Sequence, residues 1–181
     1  MKRINFKKTA RLQNVASCDD LKIKLHYIHF EKGFAIASNG SVLVKIKISE
    51  ISSLSEEQIQ ALDGKSLYKS SYASILKYNY ILVEEDGIIA YNDPLAKVKF
   101  MFSDEEYVDW EKVFNEKLKS KNIPTERIFF DPKLLANVMS CVDSTFVRMT
   151  HKGGDHDSAF HITFSDLESE AVLMGAFDDK Y

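Results

Sequence analysis

The chain has 181 residues and a net charge of −3, with 45% hydrophobic and 12% aromatic residues, so it can bury a real core and is no disordered polymer. The charge is uneven: residues 1–48 hold ten Lys or Arg against three Asp or Glu, and residues 49–181 hold 14 against 24. A basic first quarter on an acidic body makes an anionic partner worth testing, which the net charge alone would discourage.

Residues 1–13 start basic but carry no apolar stretch behind them, and no run approaches the roughly 18 apolar residues of a membrane span. A cytoplasmic protein without membrane contact is expected. A short strand at 3–6 leads to a helix over 7–17, with Leu12, Val15 and Ala16 on one face and Lys7, Arg11 and Asn14 on the other. Residues 21–30 alternate Leu21, Ile23 and Leu25 with Lys22, Lys24 and His26, which reads as a strand. Residues 33–48 form a hairpin turning at Asn39-Gly40, where two positive-φ positions are expected. Beyond the turn Val42, Val44, Ile46 and Ile48 form the buried face, leaving Leu43, Lys45 and Lys47 wet.

A polar connector, 49–64, holds a helical turn capped by Ser55. The pattern then restarts: a strand at 66–69, a helix at 71–79 with Tyr72, Ile75 and Leu76 inward, and strands at 80–84, 88–91 and 97–102. Residues 104–125 form a linker carrying the single tryptophan, Trp110. A third unit opens with a strand at 127–130 and a helix launched by Asp131-Pro132, with Leu134, Leu135, Val138 and Met139 inward. Strands at 146–150, 159–164 and 171–177 complete it.

Strand–helix–three strands thus recurs three times. The expected class is α+β, with repeated β-α-β-β-β units, antiparallel sheets and helices on one face. The expected division is residues 1–103 as a pair of units, 104–125 as a linker and 126–181 as the third unit. The third unit needs a cover for its helix face. The open alternatives are the linker folding back with Tyr107, Trp110, Val113 and Phe114 as a lid, or a second copy of the chain.

The residues on this repeat resemble the bacterial sliding clamp, the β-subunit processivity factor of DNA polymerase III. The family's A-T-D-G-H-x-L hairpin is matched by Ala37-Ser38-Asn39-Gly40-Ser41-Val42-Leu43. Its D-x-R-x-x-L-N-G-hydrophobic segment is matched by Asp20, Lys22, Leu25 and Ile28. Its F-P-D-Y-x-x-V-hydrophobic segment resembles residues 107–114, and its terminal V-V-M-P-M resembles Val172-Leu173-Met174-Gly175-Ala176. The order is that of a middle domain joined to the second half of a last domain. Asn39, Ser41, Val108, Gly175 and Ala176 depart from the family pattern, and three units stand where a clamp chain has six.

The resemblance implies a non-catalytic, cofactor-free protein associated with double-stranded DNA without reading its sequence. It gives processivity or a platform for a replication or repair partner, with a homo-oligomer as one possible assembly. Phosphate contacts would come from Lys7, Lys8 and Arg11, with Lys69 and Lys77 added, while Lys133 reads as an ordinary helix-surface cation. A partner's short hydrophobic tail would enter a pocket walled by Leu25, Ser38, Gly40, Leu43, Phe114, Val172 and Met174. A peptide-binding adaptor that does not grip DNA is the alternative. Taken singly, Leu25, Leu43 and Val172 each read better as core.

Enzyme chemistry has one foothold, residues 151–157 (HKGGDHD) with His161 on the next strand, which could serve a metal-dependent hydrolase. No pair there has the i, i+4 spacing that sets ligand geometry, and a solvated turn is the favoured reading. No phosphate loop, nucleophile elbow or paired-carboxylate pattern occurs. Cys18 and Cys141 read as reduced thiols.

Overall fold

The computed structural model describes residues 3–119, 122, 130–153 and 159–175. Within them lie strands β1 (Tyr27–Glu31), β2 (Phe34–Ser38), β3 (Val42–Lys47), β4 (Lys65–Tyr68), β5 (Tyr80–Val83), β6 (Gly87–Asp93), β7 (Ala96–Met101), β8 (Val147–Lys152), β9 (Ala159–Phe164) and β10 (Glu170–Met174). The helices are α1 (Ile48–Ile51), α2 (Glu56–Ala61), α3 (Lys69–Ile75), α4 (Trp110–Lys119) and α5 (Pro132–Met139). Two antiparallel sheets result, one ordered β4-β1-β2-β3-β10-β9-β8 and one ordered β5-β6-β7.

Local chemistry accounts for most boundaries. Ser55 caps α2 in a full capping box with Gln58, and the Asp131 carboxylate accepts from the Lys133 amide ahead of Pro132. The hairpin turn differs from expectation: only Gly40 takes positive φ (+89°). Asn39 instead accepts the Ser41 and Val42 amides with its side-chain oxygen at 2.9 and 3.0 Å, an Asx turn that makes a second left-handed residue unnecessary.

Two early elements are shorter than their sequence pattern suggests. Residues 7–17 contain only a 3-10 helix, Leu12–Asn14. The amides of Lys7 and Arg11 donate to Ile51 O (2.6 Å) and Ser140 O (2.9 Å), so the backbone is committed to neighbours rather than to its own helix. Leu12, Val15 and Ala16 still point into the core. Residues 23–26 form a second 3-10 helix instead of strand, leaving Leu21 and Ile23 exposed. The proposed strand at 127–130 and the end of the strand at 171–177 lie largely outside the described residues.

The first two units exchange their opening residues. β4 pairs antiparallel with β1, Tyr27 opposite Tyr68, while Ile4 bridges Tyr80 at the start of β5. The phenol of Tyr72 on α3 donates to Ala10 O at 3.0 Å, joining the two helical segments across this exchange. The third unit does not stand apart. β10 continues the first unit's sheet through β3, with Leu43 opposite Val172, and α5 packs on β3, β10 and the Leu12–Asn14 turn. Val138 is fully buried there, so the apolar face of α5 is covered by the first unit and requires neither lid nor second copy.

The long sheet is covered on both sides, which corrects the expectation of one wet face; the helices of the repeated units, α3 and α5, lie on one face as expected, and the linker covers the other. Ala35, Ala37, Val42, Val44, Ile46, Ala171 and Leu173 face the main core with α3 and α5. Their alternating neighbours Ile36, Leu43 and Val172 face a second cluster closed by Tyr107, Trp110 and Phe114. The linker therefore does fold back, onto the opposite side of the sheet from α5. Its residues 110–119 form α4, where Trp110, Phe114 and Leu118 recur at helical spacing.

Candidate functional site

The segment 104–119 lies on the outer sheet face through specific ties. The Tyr107 ring stacks on His29 at 4.9 Å with an interplanar angle of 7°. The Trp110 indole donates to Glu31 Oε2 at 2.5 Å, and Lys32 pairs with Glu111 at 2.6 Å. Burial pushes the Tyr107 phenol above its ordinary pKa, and it pushes the His29 imidazole down against the opposing pull of Glu31 and Asp63. Further along, Phe114 covers a half-buried ionic cluster. Lys45 Nζ lies 5.0 Å from its ring centroid and 2.9 Å from Glu170, whose other oxygen meets His161 Nε2 at 2.7 Å. Hydrogen bonding from His161, and then from Lys45, holds the Glu170 carboxyl below its usual pKa despite partial desolvation.

Where this segment crosses the β3–β10 seam it leaves a cavity of about 240 Å³. Its wall contains Leu25, Ser38, Gly40, Leu43, Phe114, Val172 and Met174, all seven residues that the resemblance picks out. Leu43, Phe114 and Val172 are also buried in the second cluster, so core and cavity wall are the same atoms seen from two sides. The polar corner is bonded within itself: Ser38 Oγ donates to Val42 O at 2.8 Å and accepts the Gly40 amide at 3.1 Å. A Cβ on Gly40 would sit 3.2 Å from Lys22 Nζ with the backbone at positive φ, so glycine suits this position on two counts.

Sequence reasoning missed Val108, Val113 and Lys117, which complete the cavity wall on the linker side. The i, i+4 spacing of Val113 and Lys117 is the signal that could have placed them together on a helix. On the other side of Val108 opens a larger cavity, about 460 Å³, lined by Glu31, Glu105, Glu106, Asp109 and Glu111 among others. The two cavities share Val108 as a wall and differ in character, one apolar and one acidic.

The cationic residues divide. Lys7, Lys8 and Arg11 are exposed in the turn ahead of the first 3-10 helix rather than on a helix, and Lys77 is exposed just after α3. Lys69 is half-buried and donates to Ser17 O and to Cys18 Sγ, so its ammonium is directed to its own chain. Lys133 is exposed at the start of α5.

The metal foothold loses its geometry. Thr150 is opposite His161, and His151 is opposite Phe160, so the two histidines project from opposite faces of the sheet. His151 stacks on Phe160 at 5.0 Å, and His161 binds Glu170. The loop residues 154–158 lie outside the described residues; among those described, no cluster of His, Cys, Asp or Glu has a metal-binding arrangement. No described helix is long and apolar enough to cross a membrane.

No protein-family model and no curated protein matches the chain. Solved structures do. The DNA polymerase sliding clamp of Bacillus subtilis superposes with a TM-score of 0.63 at 12% identity over 97% of this chain and 64% of its own. The Caulobacter crescentus pol III beta structure gives 0.63 at 13% identity over 98% and 67%. The sliding clamp of Pseudomonas aeruginosa, solved with a ligand, gives 0.61 at 14% identity over 97% and 65%. The chain spans just under two thirds of the B. subtilis and P. aeruginosa chains. Its alternating two-sided sheet, seam cavity and strand exchange are thus set on the fold of the bacterial DNA polymerase III beta sliding clamps.

Proposed function

We propose that this protein is a non-catalytic, clamp-like platform that captures the short hydrophobic tail of a replication or repair protein. The observation that carries the reading is the cavity at the β3–β10 seam, where seven residues from widely separated parts of the chain converge. An extended apolar tail is matched by the concave apolar wall, with exposed Ser41 of the hairpin turn on the lining as its polar edge. Titrating a fluorescent decapeptide with a bulky apolar tail, followed by anisotropy, tests this. Saturable binding is expected. Val113→Asp should weaken it at least about tenfold, because an apolar ligand would desolvate the new carboxylate without a partner. Val113 is 46% exposed, so the variant should fold. Absent binding, or binding indifferent to Val113→Asp, would overturn the reading.

Association with double-stranded DNA is the second part of the proposal. Its support is the exposed set Lys7, Lys8, Arg11 and Lys77; Lys69 is set aside because it binds its own chain. Contacts of this kind go to phosphates, so binding should be independent of sequence and fall steeply with salt. Duplex retained on the protein at low salt should be released by the triple change of Lys7, Lys8 and Arg11 to Glu. If no duplex is retained even at low salt, the adaptor alternative stands in place of DNA association.

A further inference from the structure

The last strands of the first and third units, β3 and β10, pair antiparallel with carboxylates set against ammoniums. Glu170 is opposite Lys45 at 2.9 Å, and Glu168 meets Lys47 at 2.5 Å. On the other face of the same seam, Val44 is opposite Ala171. The last strand of the second unit, β7, carries one half of this arrangement. It pairs with β6 alone, and among the described residues no strand lies along its other edge. The N–H and C=O groups of alternate residues there point outward. Lys97 and Lys99 stand on the face away from the core, opposite Tyr91 and Ile89, as Lys45 is opposite Ile36. Val98 between them shares the inner face with buried Ala90, yet is 43% exposed. Charge narrows the partner. The β7 of a second copy, centred on this one, would set lysine against lysine. Lys99 is held by Glu84 at 2.8 Å and Asp86 at 2.6 Å. Lys97 makes no ion pair among the described residues and lies 5.6 Å from the Tyr91 ring centroid.

We propose that the free edge of β7 docks an extended segment of another protein, one that carries carboxylates at alternate positions around an apolar residue. The segment adds antiparallel to β7, as β10 adds to β3. Main-chain hydrogen bonds to the edge hold it, and its carboxylates select it by meeting Lys97 and Lys99. The apolar residue between them covers Val98, as Ala171 lies opposite Val44. The same two lysines reject a like strand, so the edge is closed to its own copy and open to an acidic one. This surface shares no residue with the seam cavity, and the inference stands apart from tail binding.

The test uses two fluorescent octapeptides, blocked at both ends and alike except for a central Glu-Val-Glu or Lys-Val-Lys. Blocking removes the terminal charges as competitors. The Glu peptide should bind saturably and slow amide hydrogen exchange within residues 96–101. The Lys peptide should bind at least about tenfold more weakly, the scale of two exposed attractions turned into repulsions. Lys97→Glu, an exposed change, should weaken the Glu peptide and strengthen the Lys peptide by about threefold each. Val113→Asp, in the segment over the other sheet, should leave both affinities unchanged, which separates this edge from the seam cavity. No binding of the Glu peptide, or equal affinity for the two peptides, would overturn the proposal. So would a preference that Lys97→Glu does not move, or slowed exchange confined to residues outside 96–101.

Discussion

Phe114→Ala is expected to cost about 3–5 kcal/mol of stability, the range for truncating a buried aromatic ring. Phe114 is 3% exposed, lies over the Lys45 ammonium and meets His161 edge-on at 6.3 Å. Its loss removes more than ring contacts, because the ring shields the Lys45–Glu170–His161 cluster from solvent and anchors the middle of α4. Two responses are distinguishable. Loss registered in the global denaturation midpoint shows the outer layer folding cooperatively with the sheet. Loss registered only as faster cleavage within residues 104–119 shows α4 detaching by itself. In either case tail binding should vanish, since Phe114 is part of the cavity wall. A variant with wild-type midpoint, cleavage and binding would contradict the packing described.

Tyr72→Ala should be comparably severe, again about 3–5 kcal/mol. Tyr72 is fully buried on α3, packs against Phe6 at 5.3 Å, and through Phe6 reaches Phe30 on β1. Its phenol donates to Ala10 O, and burial keeps that phenol protonated by raising its pKa well above the ordinary value. The residue therefore joins the second unit to the first, and its removal should loosen both. Tyr72→Phe separates the two contributions: it keeps the ring and leaves the Ala10 carbonyl without its donor, at about 1–2 kcal/mol. Urea denaturation of the pair checks the ordering. Equal destabilisation by Phe and Ala would mean that the ring does not pack as described.

The strands were legible because alternation is a short-range signal, and β2 and β3 carry it on both faces. The second face was misread because Lys45 and Lys47 look like solvent residues. Lys45 is in fact half-buried between Phe34, Phe114 and Glu170. Helix α4 was missed for a related reason. Six of its ten residues are polar, and Trp110, Phe114 and Leu118 hold it down by a narrow i, i+4 stripe. Capping residues marked α2 and α5 well, since a cap is chemistry within four residues. In contrast, the 3-10 turn at 12–14 follows a backbone that is bonded to Ile51 and Ser140, far away in sequence. The cavity residues were legible only through resemblance, because no local pattern connects Leu25 or Gly40 with Val172.

An apolar tail is expected to seat on the β3–β10 seam. Amide chemical-shift mapping with the decapeptide tests it most directly, since it reports place as well as affinity. Saturable shifts clustered at Leu25, Gly40, Leu43, Val113, Val172 and Met174 are expected, with β5, β6 and β7 silent. Shifts centred on the three-stranded sheet or on the turn at residues 7–11, with the seam amides unmoved, would contradict it.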